Sequence, residues 1–189
     1  QAVTGSIDDA LKLGCSAIGF TIYPGSDHNF SLMEEYRDLS HEAKAKGLAV
    51  VLWAYARGTN ISKKGETAMN IISYAAHMSA LLGANIIKVK LPSDFLEEDP
   101  TKAAFENNKI AIGSLKERVA HIKKVAFEGK RLVVFSGGDA KDDNALMEEI
   151  KAIHLGGGNG SIIGRNCFQR TREDSLNLLD QMIQIYKSK

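Results

Sequence analysis

Two lysines set into an apolar strand are the residues of this chain best suited to covalent chemistry. They lie in Gly83-Ala84-Asn85-Ile86-Ile87-Lys88-Val89-Lys90-Leu91-Pro92, where β-branched Ile86, Ile87 and Val89 specify a strand. Pro92 stops it, and Gly83 ends the helix before it. Side chains alternate along a strand, so Ile86, Lys88 and Lys90 share one face while Ile87 and Val89 share the other. A parallel strand covered by helices is apolar on both faces by default, so a lysine there either reaches for the rim or has been stripped of water. Desolvation and a nearby ammonium both favour the neutral amine, the form that attacks a carbonyl and closes a Schiff base.

Three further residues alternate in the same way one strand earlier. Trp53, Tyr55 and Arg57 fall on one face, which would bring an aromatic wall, a phenol and a guanidinium to the pocket holding Lys88 and Lys90. A tyrosine beside lysines can exchange protons with a carbanion or carbinolamine. Trp53 is equally well explained as core packing, because tryptophan is at home on a half-buried strand. Later come two glycine turns, each ending a strand. Ser136-Gly137-Gly138 offers backbone N–H groups at close approach and a hydroxyl, and Gly164-Arg165 adds amides and a fork-shaped cation. One such turn is unremarkable, but two ending consecutive strands suit a phosphate. His28, His41, His77, His121 and His154 lack metal-ligand spacing, so zinc is not expected. Asp8, Asp9, Glu34, Glu35, Glu148 and Glu149 fall at helix starts or on exposed helix faces and read as capping or solvated groups.

The elements that must hold these groups follow in a steady rhythm. Ser6 caps a short helix ending at Gly14, residues 16–23 form a strand, and Ser31-Leu32-Met33-Glu34 reads as a capping box for a helix reaching Gly47. A strand over 48–55, a helix from about Glu66 to Leu82 and the lysine strand come next. The stretch 93–113 is too long for a turn and is expected to be a loop carrying a short helix, unless it is a partly disordered insertion. Then come a helix from Ser114, a strand at 131–135, a helix over 142–155, a strand at 161–163 and a final helix from about Arg172.

Such alternation specifies parallel βα units. A doubly wound sheet would want its glycine fingerprint after the first strand, where GxGxxG is absent. In a (β/α)8 TIM barrel phosphate sits between the loops after the last two strands, where Ser136-Gly137-Gly138 and Gly164-Arg165 fall. The expected fold is therefore α/β, a single barrel domain over residues 1–189. Five strands cannot close a barrel, so the chain is expected to cover about the fourth to eighth βα units, the first three strands lying outside it. Composition is that of a globular domain, 44% hydrophobic and 25% charged. Lys+Arg 24 against Asp+Glu 23 gives no global field for nucleic acid or an acidic membrane surface, so neither is an expected partner. Cys15 and Cys167 show no paired spacing, and no apolar run approaches a membrane span. Together with the lack of a leader, this reads as a cytoplasmic protein.

The chain also resembles the archaeal-type, DhnA-like class I fructose-bisphosphate aldolases. The resemblance runs through GFTIYPGS at 19–26, LWAYARG at 52–58, GANIIKVKLP at 83–92, VFSGG at 134–138 and IIGRNCFQR at 162–170. It implies a (β/α)8 barrel that reversibly cleaves fructose 1,6-bisphosphate to dihydroxyacetone phosphate and glyceraldehyde 3-phosphate, in glycolysis and gluconeogenesis, through a covalent lysine Schiff base and without a metal or other cofactor. Lys88 then looks like the Schiff-base lysine and Tyr55 like the acid/base. Trp53 and Arg57 look like pocket residues, and Ser136, Gly137, Gly138, Gly164 and Arg165 like the phosphate site. The family's aspartate at the end of the first barrel strand has no counterpart in this sequence. Spacing alone leaves Lys90 as the other nucleophile. Lys88, the deeper of the two, is preferred, and Lys90 at the mouth is expected to stay a hydrated cation in the binding pocket. A lysine-dependent transaldolase or thiolase on another phosphorylated sugar, and a non-catalytic phosphosugar-binding barrel, are the competing readings. The partner is then a small phosphorylated sugar, and since such barrels often assemble, a homo-oligomer is expected.

Overall fold

The computed structural model describes residues 3–137 and 141–188. Its strands are β1 (Ala17–Ile22), β2 (Ala49–Ala54), β3 (Ile86–Val89), β4 (Leu132–Ser136) and β5 (Gly160–Ile162). They pair in parallel in the order β1-β2-β3-β4-β5. That order never reverses. Right-handed crossovers between successive neighbours put every connecting helix on one side of the sheet, whereas a doubly wound fold needs a reversal to place helices on both. The winding is therefore that of a (β/α)8 barrel, of which this sheet is the five-stranded part.

Burial follows the same logic. Phe20, Ile22, Leu52, Ala54, Ile87, Val89, Val133 and Phe135 point to one face and are buried there. They pack under α2 (Asn29–Ala45), α3 (Met69–Leu81), α5 (Leu115–Val125) and α6 (Asp143–Leu155), with Tyr36, Ile72, Ala76, Val119, Ile122 and Ile153 completing the core. A smaller cluster, Leu146, Ile150, Leu178 and Met182, fastens α8 (Arg172–Lys187) to α6. The alternate positions, Trp53, Lys88 and Val134 among them, face the concave side and are only partly covered. On that side Leu132 is 48% exposed and Ile162 42% exposed. This apolar surface is what a closed barrel would bury.

Local sequence explains most element ends. α1 (Ile7–Lys12) starts at Ser6 with a capping box to Asp9, and α5 starts at Ser114 with the same device to Glu117. Two expectations need correction. The Ser31–Glu34 capping box does not form, because α2 has already begun at Asn29 and the Ser31 hydroxyl donates to the carbonyl of His28 at 3.0 Å. The helix expected from Glu66 is broken in two. A 3-10 turn over Gly65–Thr67 ends at Ala68, whose extended backbone restarts the chain as α3.

The long segment after β3 is a brace. It carries α4 (Asp99–Asn107). Its first residues bond to the preceding loop, with the Ser93 N–H donating to the Thr67 carbonyl at 2.8 Å and the Met69 N–H to the Phe95 carbonyl at 2.8 Å. The Arg118 guanidinium donates to the carbonyls of Pro92 (2.8 Å) and Ile112 (2.7 Å), tying both ends of the segment to α5.

Candidate active site

The register of the sheet sets the site. Thr21 pairs with Trp53, Trp53 with Lys88, Lys88 with Val134, and Val134 with Gly160, so one row crosses the concave face with Lys88 at its centre. Lys88 Nζ lies 5.5 Å from the centroid of the Trp53 ring and 5.7 Å from that of Tyr55. Trp53 leans back over β1, where Gly19 makes room for it. A Cβ at Gly19 would stand 2.6 Å from the indole. No carboxylate or carbonyl among the described residues accepts a hydrogen bond from Lys88. Its contacts are aromatic faces, which attract an ammonium without tying up its protons in a fixed pair.

Lys90 differs, although it faces the same way. Its Nζ donates to Glu66 Oε2 at 2.6 Å, and Lys63 donates to the other oxygen of the same carboxylate at 3.0 Å. Hydrogen bonds from Lys90 first and Lys63 second hold the Glu66 carboxyl below the usual carboxylate range. The two lysines left equivalent by spacing are thus separated by their partners.

Beyond the central row, the carboxyl ends of the strands open on a groove of about 530 Å³. Tyr55, Arg57, Lys90, Ser136 and Arg165 all line it, as do Lys63 and Lys141. Among the described residues Glu149 is the one acid in that lining, and it is engaged by an ion pair with Lys141. Arg57 lies over the Tyr23 ring, 4.9 Å from its centroid. A groove with this excess of cations suits a small polyanion. Trp53 and Lys88 lie one step deeper along the strands and do not line it.

The turns expected to hold phosphate meet at one end of this groove. The Gly137 N–H donates to the Ile162 carbonyl at 3.2 Å, joining the end of β4 to the end of β5. Gly164 precedes the short α7 (Arg165–Phe168). Gly138 lies outside the described residues.

Several residues here were not singled out from sequence. Asn166, 3% exposed, donates to the Gly137 carbonyl at 3.3 Å and accepts from the Lys141 N–H at 2.8 Å. Glu97 accepts from both the N–H (2.9 Å) and the hydroxyl (2.8 Å) of Ser62. Asn166 and Glu97 each join segments far apart in sequence, as Glu66 does to Lys90, and no local motif announces such contacts. Among the described residues, no group of three histidine, cysteine, aspartate or glutamate side chains is arranged to hold a metal ion. Among the same residues, no helix is long and apolar enough to cross a membrane.

The known proteins that this chain resembles are aldolases. The chain is 34% identical over 170 residues to the class 1 fructose-bisphosphate aldolase of Halobacterium salinarum, an alignment covering 90% of this chain and 55% of that protein. It is 31% identical over 166 residues to the corresponding protein of Thermoproteus tenax, covering 87% and 54%. It thus spans about half the length of the curated relatives it matches. Among solved structures, it superposes with a TM-score of 0.80 on an archaeal fructose-1,6-bisphosphate aldolase whose catalytic lysine is covalently bound to the carbinolamine intermediate of its substrate. That match is at 28% identity and covers 99% of this chain and 64% of the other. The profile of DeoC/LacD family aldolases matches residues 2–170, and the chain belongs to that family.

Proposed function

We propose that this protein is a Schiff-base aldolase that reversibly cleaves fructose 1,6-bisphosphate to dihydroxyacetone phosphate and glyceraldehyde 3-phosphate, as a single barrel domain whose remaining strands lie outside this chain. The observation that carries this reading is the contrast within β3 and its end. Lys88 sits at the centre of the concave face between two aromatic rings with no acidic partner among the described residues, whereas Lys90 is paired to Glu66.

In this reading the Lys88 amine adds to the C2 carbonyl of the ketose, giving a carbinolamine that loses water to an iminium. The iminium accepts the electron pair released when C3–C4 breaks, while the proton of the C4 hydroxyl departs and the aldehyde leaves. The resulting enamine takes a proton at C3, and water returns the amine and the second product. Tyr55, at the boundary between the Lys88 row and the groove, relays these protons. Trp53 walls the reacting carbon. Arg165, Ser136 and the backbone of Gly138 and Gly164 hold the phosphate of the ketose half, while Gly137, expected from sequence to donate as well, has its N–H spent on the Ile162 carbonyl; Arg57 and Lys90 provide further positive charge along the groove. Phosphate binding remote from the reacting bond supplies orientation, so its loss should reduce turnover as well as affinity. The chemistry as written needs no metal or other cofactor. A cytoplasmic location and a homo-oligomeric assembly complete the proposal.

The decisive experiment is borohydride trapping with dihydroxyacetone phosphate, followed by peptide mass spectrometry. An adduct on Lys88, absent in Lys88→Ala, is expected. An adduct without cleavage of the bisphosphate would point to a transaldolase or thiolase on another phosphorylated sugar. No adduct, under conditions that trap a known lysine aldolase, would overturn the reading in favour of a phosphosugar-binding barrel.

A further inference from the structure

Lys88 and Lys90 emerge on the same face two residues apart, so two amines compete for the role of nucleophile on this side of the sheet. Something must decide between them. We propose that Glu66 is the positioning residue that does so, by binding Lys90 as an ammonium and leaving Lys88 as the one nucleophile of the strand. The inference rests on the Schiff-base reading of Lys88 and extends it to a residue outside the covalent chemistry.

The pair is not an incidental surface contact. Its side chains are 23% and 18% exposed for Lys90 and Glu66, and the N–O distance is 2.6 Å. Short charge-assisted hydrogen bonds of this kind are about twice as strong as neutral ones. An amine that donates to a carboxylate keeps its proton and has no lone pair to offer a carbonyl.

The position of Glu66 is also built from outside. The 3-10 turn Gly65–Thr67 that carries it is clamped on both sides by the segment after β3. Glu97 takes both donors of Ser62, whose hydroxyl in turn accepts from the Gly65 N–H at 2.9 Å. Ser93 bonds to the Thr67 carbonyl through its N–H and, at 3.0 Å, its hydroxyl. The Glu97 carboxyl fills the space a Cβ on Gly65 would need, 2.6 Å away. The long segment from Ser93 to Gly113 therefore has a role in the reaction. It holds the turn that holds Glu66, which holds Lys90.

Labelling with pyridoxal 5′-phosphate followed by borohydride tests this without requiring aldolase turnover. A neutral lysine adds to the aldehyde, loses water to form the imine, and hydride reduces it to a stable secondary amine that peptide mass spectrometry locates. In the wild-type protein the label is expected on Lys88. In Glu66→Gln, labelling of Lys90 relative to Lys88 should rise about fivefold, which is about 1 kcal/mol. Glu66→Asp, which keeps the charge, should return the ratio towards wild type and covers the case in which the glutamine variant folds poorly. An unchanged ratio in Glu66→Gln, or Lys90 labelled as readily as Lys88 in wild type, overturns the proposal. Wild type unlabelled on Lys88 with Lys90 labelled in Glu66→Gln would sink the Lys88 assignment and sustain the role of Glu66. If neither lysine is labelled in either protein, Glu66 does not restrain Lys90 and the proposal fails.

Discussion

The buried amide of Asn166 donates to the carbonyl of Gly137 at 3.3 Å and accepts from the N–H of Lys141 at 2.8 Å. The chain after β4 is thus fastened at Gly137 and Lys141 by the short helix after β5, which ties together the two segments proposed to bind phosphate. Truncation to Asn166→Ala leaves these backbone groups without partners, at a cost of about 1–3 kcal/mol. We expect a melting temperature lower by a few degrees and a raised KM for the phosphorylated ketose, measured by thermal unfolding and steady-state kinetics. A variant with wild-type values for both would show that the turn holds its shape unaided.

Removing the guanidinium in Arg165→Ala should lower kcat/KM for the bisphosphate by about 10- to 100-fold, the worth of one charge-assisted contact to phosphate. A ketose lacking that phosphate should show nearly equal kinetics with the variant and the wild type. Equal losses on both substrates would mean that Arg165 acts on the fold and not on the anion.

Gly19 lies on β1 against the Trp53 indole, two residues before Thr21, the register partner of Trp53. The methyl group of Gly19→Ala would stand 2.6 Å from the indole, so the ring has to move, and it can swing into the partly covered concave side. A reacting pair displaced by about 1 Å can lose about 100-fold in rate. The expected outcome is a kcat at least about tenfold lower, with a melting temperature within a few degrees of wild type. Unchanged kcat would demote Trp53 to packing.

Tyr36 is fully buried in the core beneath the sheet, and burial pushes its hydroxyl up to about 12 from the ordinary 10. The folded state therefore keeps a proton that the unfolded chain gives up first. Stability from this group is intact below pH 10 and is lost as pH rises from there towards 12, at about 1.4 kcal/mol per pH unit. Denaturant titrations across that range should show a shallower decline for Tyr36→Phe than for wild type. Parallel declines would mean that the hydroxyl ionises equally easily in both states.

The parts of this site that could be read from sequence are those set by the two-residue period of a strand. That period alone puts Trp53, Tyr55 and Arg57 on one face and Lys88 and Lys90 on another strand's matching face, and the register joins the two. Local capping was legible where the helix had no competitor, as at Ser6, and misleading at Ser31, where the preceding turn had already wound into helix. Glu66, Glu97 and Asn166 were out of reach for a different reason. Their partners lie 24, 35 and 29 residues away in the chain, and only the packed fold brings them together. Depth along the strand already favoured Lys88 in the sequence, but the carboxylate that engages Lys90 belonged to that second kind of information.

Trp53 is the chain's one tryptophan, and it lies beside Lys88. The protein therefore carries its own optical reporter, built into the wall of the candidate active site. Within this chain, indole emission excited at the red edge of its absorption comes from this position alone, so its intensity and wavelength are expected to follow the charge and hydration at Lys88. A carbonyl compound that converts the amine to an iminium will register as a change in fluorescence, and the covalent step can be timed by stopped flow as it happens.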